Sequence, residues 1–142
     1  MEKKQLGNLT ELQCITAFYE YGCQVSIPYG ENSRYDFIAD IGNRLIRVQV
    51  KSSRRVDENS FIFSCVSTKS KKSGIVRRKY TKDEIDYFST FYEGKCYLVP
   101  VNECSNQKTL RNGISKNNQN QNVCFASQYE LERQLNKLRN ID

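Results

Sequence analysis

The stretch Tyr35-Asp36-Phe37-Ile38-Ala39-Asp40-Ile41-Gly42-Asn43-Arg44-Leu45-Ile46-Arg47-Val48-Gln49-Val50-Lys51 decides the fold. Two β-rich runs, Tyr35 to Ile41 and Arg44 to Lys51, flank Gly42-Asn43, a two-residue hairpin signal. With that pair as the loop, Ile41 meets Arg44, Ala39 meets Ile46, Phe37 meets Val48 and Asp36 meets Gln49. Side chains alternate along a strand, so Lys51 shares the face of Gln49, while Tyr35, Phe37, Ala39, Ile41, Ile46, Val48 and Val50 form an apolar face. Burial of that face pins the register, because a slip of one residue would turn all of it to solvent. Directly opposed Cβ atoms lie about 5 Å apart and diagonal neighbours roughly 7 to 8 Å apart, close enough for Asp36, Gln49 and Lys51 to surround one small ion. A solvated cross-strand Asp/Lys pair fits the hairpin equally well.

Outward from the hairpin, the chain has 142 residues, 38% of them hydrophobic, which suits one domain over residues 1–142 with a modest core. Lys and Arg number 22 against 16 Asp and Glu, and the resulting charge of +6 favours an anionic partner, nucleic acid first. No apolar run reaches membrane-spanning length and the N-terminus leads into no apolar signal segment, so an intracellular, prokaryotic-like protein is expected. Six cysteines without any Cys-x-x-Cys spacing argue against a zinc site and for reduced thiols. With no histidine, any catalysis must use carboxylates, amides, backbone oxygens and lysine, donors that suit Mg²⁺ or Mn²⁺.

Periodicity places the remaining elements. Asn8 to Tyr21 reads as a helix opened by an Asn8-x-x-Glu11 capping box, with Cys14, Ile15 and Phe18 inward. Cys23 to Tyr29 and Ser60 to Ser67 read as strands. Thr81 to Tyr92 reads as a second helix, opened by Thr81-x-x-Glu84 and ended by Gly94, and Lys95 to Val101 as a strand with Pro100 near its end. Ser127-x-x-Glu130 opens a last helix carrying Leu131, Leu135 and Leu138. The expected order is αββββαβα, an α+β domain with a mixed sheet.

Two segments stand out by charge. Lys69, Lys71, Lys72, Arg77, Arg78 and Lys79 crowd a basic loop at 68–80 in a region free of acid, a candidate phosphate-backbone surface. An amide-rich loop at 105–122 carries Lys108, Arg111 and Lys116, and Asn and Gln side chains can read adenine edges.

These residues together resemble the PD-(D/E)XK nuclease superfamily: Arg34-Tyr35-Asp36 at the first half of the signature, Gln49-Val50-Lys51 at the second, and Gly7-x-x-x-Glu11 as the N-terminal helix motif. With Gln49-Val50-Lys51-Ser52-Ser53, Asp86-Tyr87-Phe88 and Tyr97-Leu98-Val99-Pro100-Val101, the pattern is similar to small group I intron-encoded homing endonucleases of this type. The resemblance implies a restriction-endonuclease-like αβββαβ core, here with an extra strand and a C-terminal helix. It also implies an Mg²⁺- or Mn²⁺-dependent endonuclease acting on double-stranded DNA as a homodimer or homotetramer, since one compact site cuts one strand. Asp36, Gln49, Lys51 and Glu11 would be catalytic, with Asp36, Gln49, the Val50 carbonyl and Glu11 around the metal. A Holliday-junction resolvase-like nuclease and a catalytically inactive DNA-binding module are the alternatives. Two positions depart from the pattern: Tyr35 replaces the usual proline, and Gln49 replaces an acid, leaving an oxygen ligand without its charge.

Overall fold

The computed structural model describes residues 1–113 and 123–140. Helix α1 (Lys3–Glu20) is followed by strands β1 (Gln24–Ser26), β2 (Phe37–Asp40), β3 (Leu45–Val50), β4 (Ser53–Asp57), β5 (Ser60–Ser64), β6 (Val66–Lys71), β7 (Gly74–Lys79), β8 (Tyr87–Tyr92), β9 (Lys95–Pro100) and β10 (Gln107–Arg111), then helix α2 (Leu131–Leu138). Short 3-10 turns at Val101–Glu103 and Ala126–Tyr129 complete the order. The domain is α+β, as expected. Among the described residues no helix is long and apolar enough to cross a membrane.

The central sheet has the order β1-β2-β3-β8-β9, and only its β3–β8 pairing is parallel. The β2–β3 register is the one the sequence dictates, with Phe37 opposite Val48 and Ala39 opposite Ile46. The loop closes as expected: Ile41 N–H donates to the Arg44 carbonyl at 3.0 Å, and Gly42 takes a positive φ of 108° that favours glycine.

Two cores sandwich this sheet. Phe37, Ala39, Ile41, Ile46, Val48 and Val50 pack under α1 and α2 with Phe18, Leu98, Leu131 and Leu135. On the other side, Phe88, Tyr97 and Val99 meet Phe61 and Phe63 of a second sheet, ordered β10-β5-β4. The run Cys96-Tyr97-Leu98-Val99 is buried throughout because alternate side chains enter alternate cores, as in any strand covered on both faces. Tyr35 departs from the expected face and packs with the second core instead.

Several expected elements change form. Helix α1 begins at Lys3, ahead of Asn8, and Glu2 N–H donates to the Gln5 side chain at 3.2 Å, so the cap lies well before the expected one. Its C-terminus closes on Gly22 at φ 83°, with Cys23 N–H donating to the Phe18 carbonyl and Gly22 N–H to the Tyr19 carbonyl, a Schellman arrangement. The expected Cys23 to Tyr29 strand contracts to β1. The expected helix from Thr81 to Tyr92 is not one. The Thr81/Glu84 capping contacts form, with Thr81 N–H at 3.2 Å from Glu84 Oε1, but they close a single turn. Tyr87-Phe88-Ser89-Thr90-Phe91-Tyr92 then runs as β8, because aromatic and β-branched residues pair with β3 and β9 across two covered faces. The expected Ser60 to Ser67 strand breaks at Cys65, where the chain leaves β5 for β6. The basic segment 68–80 is no loop: β6 and β7 pair from Val66–Lys79 to Lys71–Gly74 as a two-stranded ribbon. Part of the amide-rich segment pairs as β10 with β5 in antiparallel register, while residues 114–122, with Lys116, lie outside the described residues. Ser127-x-x-Glu130 forms a 3-10 turn, and α2 starts only at Leu131.

Candidate active site

Asp36 stands one residue before β2, and its N–H donates to the Val48 carbonyl at 2.8 Å, which extends the hairpin ladder to the position the register requires. Its carboxylate Oδ2 accepts the Val50 N–H at 2.8 Å, so the strand that carries Gln49 and Lys51 also fixes the acid. The Gln49 amide, nitrogen forward, donates to Asp36 Oδ2 at 3.3 Å and to the Arg34 carbonyl at 2.7 Å. Turned the other way, its oxygen meets two oxygens at the same distances, an arrangement that a cation satisfies.

Lys51 closes the end of β3. Its N–H donates to the Ser89 carbonyl of β8 at 3.0 Å, and its Nζ donates to the Val66 carbonyl at 3.0 Å. Tyr80 lies beside it, the ring centroid 5.2 Å from Nζ. Burial pushes the ammonium below the usual lysine range, opposed by the nearby Asp36 charge.

Glu11 reaches the site from α1. Because the helix begins at Lys3, Glu11 sits mid-helix and is not the capping partner of Asn8. Thr10 Oγ1 lies 2.9 Å from Ser52 Oγ, which ties this turn of α1 to the residue after Lys51. Burial pushes the Glu11 carboxyl up, and the Asp36 charge pushes it further. Asp36 is likewise raised, by burial first, against the lowering effects of the Val50 N–H and Lys51. Two partly buried carboxyls thus lie close enough for the charge of Asp36 to act on Glu11, with the Lys51 ammonium beside Asp36.

Among the described residues no three His, Cys, Asp or Glu side chains gather as a metal cluster. The oxygens at hand are two carboxylates, an amide and main-chain carbonyls, a hard donor set that suits Mg²⁺ or Mn²⁺.

The basic residues separate into two groups. Lys69, Lys71, Lys72, Arg77, Arg78 and Lys79 are all exposed on the ribbon, whose base is at Val66 and Lys79. Lys108 and Arg111 belong instead to β10. Lys108 donates to the Glu103 carbonyl at 3.1 Å, and the Arg111 N–H donates to the Cys124 carbonyl at 2.9 Å. All six cysteines are free thiols.

Sequence reasoning missed the residues that join ribbon to site. The Arg34 guanidinium lies 3.8 Å over the Tyr80 ring and donates to Glu84 Oε2 at 2.9 Å, Ser67 Oγ at 2.8 Å and the Lys79 carbonyl at 2.9 Å. Glu84 Oε2 also accepts from Arg78 at 2.8 Å. The only local signal was the Thr81-x-x-Glu84 pattern, which reads as a cap. The partners of Arg34 are remote in sequence, so no periodicity reveals them.

An acid before one strand, an amide-x-lysine at the end of the next and a mixed sheet give the arrangement on which the resemblance to phosphodiester-cleaving nucleases rests. The chain matches the model of the PD-(D/E)XK endonuclease family over residues 1–132 and belongs to that family. Nucleases of this family generally use divalent metal ions. Among solved structures, a bacterial homing endonuclease, I-Ssp6803I, shares the fold with a TM-score of 0.75 over 100% of both chains at 20% sequence identity. No curated protein matches the chain.

Proposed function

We propose that this endonuclease cuts double-stranded DNA at specific sequences in the manner of a homing endonuclease, using Mg²⁺ or Mn²⁺ held by Asp36, the side-chain oxygen of Gln49, the Val50 carbonyl and Glu11. The observation that carries the reading is the contact of Asp36 with Gln49 and Val50 beside Lys51 at one strand end, with Glu11 of α1 near enough for the Asp36 charge to act on it. The homing endonuclease with the same fold supports sequence-specific cutting.

When bound, the cation supplies Lewis acidity and offsets charge developing on the scissile phosphate. The chain's own residues do the rest. Asp36 is held by the Val50 N–H, so its carboxylate keeps one orientation toward the strand end. Gln49 presents its oxygen by turning over the amide that otherwise bonds Asp36 and Arg34. Lys51 donates through Nζ, and in leaving the Val66 carbonyl it can meet a phosphate oxygen or orient the attacking water. The exposed ribbon lysines and arginines contact the phosphate backbone. Because one compact site cuts one strand, a double-strand break takes two copies, hence a homodimer or homotetramer.

One observation favours a second reading, an inactive DNA-binding module: Gln49 brings no charge where the family pattern has an acid. Cleavage of duplexes spanning candidate target sites, and of a four-way junction, separates the readings when wild type is compared with Asp36→Ala and Lys51→Ala in Mg²⁺. Cutting at one duplex site, lost in both variants while binding persists, is expected. Junction-only cutting would indicate a resolvase, and binding without any cutting an inactive module.

A further inference from the structure

The ribbon is anchored to the rest of the protein at its base. Beyond Ser67, every residue of β6 and β7 is exposed, and the pair forms a sheet of its own. At the base, successive rungs are gripped from one side. Lys51 Nζ donates to the carbonyl of Val66, the rung partner of Lys79. Arg34 donates to Ser67 Oγ on one strand and to the Lys79 carbonyl on the other, so a single guanidinium spans both. Glu84 receives Arg34 and Arg78 on the same oxygen, which ties the Ser67–Arg78 rung to the turn before β8. Tyr80 is the platform: its ring lies under Arg34 and beside Lys51, and packs edge-on against the buried Phe88 at 5.4 Å. The same Arg34 supplies, through its main chain, the carbonyl that meets the Gln49 amide. One residue therefore touches the ribbon with its side chain and the Asp36/Gln49 cluster with its backbone.

We propose that Arg34, seated on Tyr80 and braced by Glu84, is a positioning residue that fixes the DNA-contacting ribbon relative to the strand end carrying Asp36, Gln49 and Lys51. It rests on the nuclease reading of that strand end. Guanidinium geometry suits this role, because a planar fork spreads its donors over several acceptors at once while its face stacks on an aromatic ring. An ammonium in its place has neither the fork nor the stacking face. Without the clamp, the exposed lysines and arginines of the ribbon still attract DNA, but the phosphate they deliver is no longer registered on the site, and catalysis is sensitive to misplacement on the scale of an ångström. Loss of Arg34 thus falls on the rate of the bound complex and spares affinity.

The test compares the full-length wild type with Arg34→Met, Arg34→Lys, Tyr80→Phe and Tyr80→Leu. The measurements are amide hydrogen exchange of the free protein, DNA affinity in chelator, and single-turnover cleavage at saturating DNA. In Arg34→Met, exchange at 66–69 and 76–79 is expected to quicken by at least about tenfold while β2, β3 and β8 keep their protection. Affinity should change by less than about threefold and the single-turnover rate should fall by at least about thirtyfold. Arg34→Lys should recover little, Tyr80→Phe should track wild type because the ring face remains, and Tyr80→Leu should follow Arg34→Met. Should Arg34→Met fail to fold, Glu84→Gln removes the brace and carries the same expectations. Wild-type exchange in the ribbon of Arg34→Met, or a loss confined to affinity with an unchanged saturated rate, overturns the proposal. A wild type that cuts no DNA would sink the nuclease reading alone, and the exchange data would still decide whether Arg34 clamps the ribbon.

Discussion

Asp36→Asn should make the metal-free protein more stable and, with Asp36 a metal ligand as proposed, should remove stabilisation by divalent metal. The carboxylate accepts the Val50 N–H at 2.8 Å and lies near Lys51, and both favour its charged form, yet burial outweighs them and its pKa is raised. The sign follows from linkage. With the folded pKa above the unfolded one, the native state holds the proton more tightly, so the group favours folding at low pH, and that advantage is lost as pH rises through the raised value. At neutral pH the charged Asp36 is a burden on the fold. Asparagine retains an acceptor for Val50, gives up about 1 kcal/mol of charge-assisted bonding, and escapes the larger desolvation cost. A net gain of about 1 kcal/mol is the ordinary size for a single stabilising substitution, and corresponds to roughly 4 °C in the unfolding midpoint. Added metal reverses the order: at a concentration about ten times its dissociation constant, it stabilises the wild type by about 1.4 kcal/mol and the variant scarcely at all. Thermal and urea unfolding at neutral pH, in chelator and then in Mg²⁺, read both effects. The gap in chelator should close as the pH falls through the raised value and should be gone by about 4, where the unfolded carboxyl is also protonated. A variant less stable than wild type in chelator, or equal stabilisation of both proteins by metal, would refute the reasoning.

Replacing Lys69, Lys71 and Lys72 by alanine should lower the slope of log affinity against log salt by up to about 2.7, about 0.9 for each phosphate no longer neutralised, with little effect on folding because all three are exposed. A titration of DNA binding between low and moderate salt measures it, and an unchanged slope would remove the ribbon from the DNA interface. Phe88→Ala should cost about 3–5 kcal/mol in urea unfolding, since the ring is 1% exposed and packs against Phe63 and Tyr80. A cost under about 1 kcal/mol would mean that the second core closes over the gap.

What was legible in the sequence had local causes. The β2–β3 hairpin could be read to the residue because Gly42-Asn43 marks the turn and the apolar alternation of Phe37, Ala39, Ile46 and Val48 allows one register. From that register came the meeting of Asp36, Gln49 and Lys51. The segment from Thr81 to Tyr92 misled for a physical reason: its capping contacts are real, but one turn of helix competes with a strand that pairs on both edges. Likewise the lysine-rich 68–80 segment carries no strong apolar alternation, because both faces of a free ribbon meet solvent. Glu11 was ambiguous until the true start of α1 withdrew its capping role. Arg34, Tyr80 and Glu84 could not be grouped, since nothing local links a residue before β2 with a turn before β8.

The parallel pairing of β3 with β8 bears on how the enzyme comes into being. Lys51 is locked by the carbonyl of Ser89, which the ribosome supplies only after β4, β5 and the whole ribbon have been made. A nascent chain therefore completes its basic ribbon before the main chain of Lys51 has its partner on β8. The order of synthesis leaves the end of β3 without its parallel neighbour until the closing strands emerge, and a product that ends before Tyr87 never acquires it.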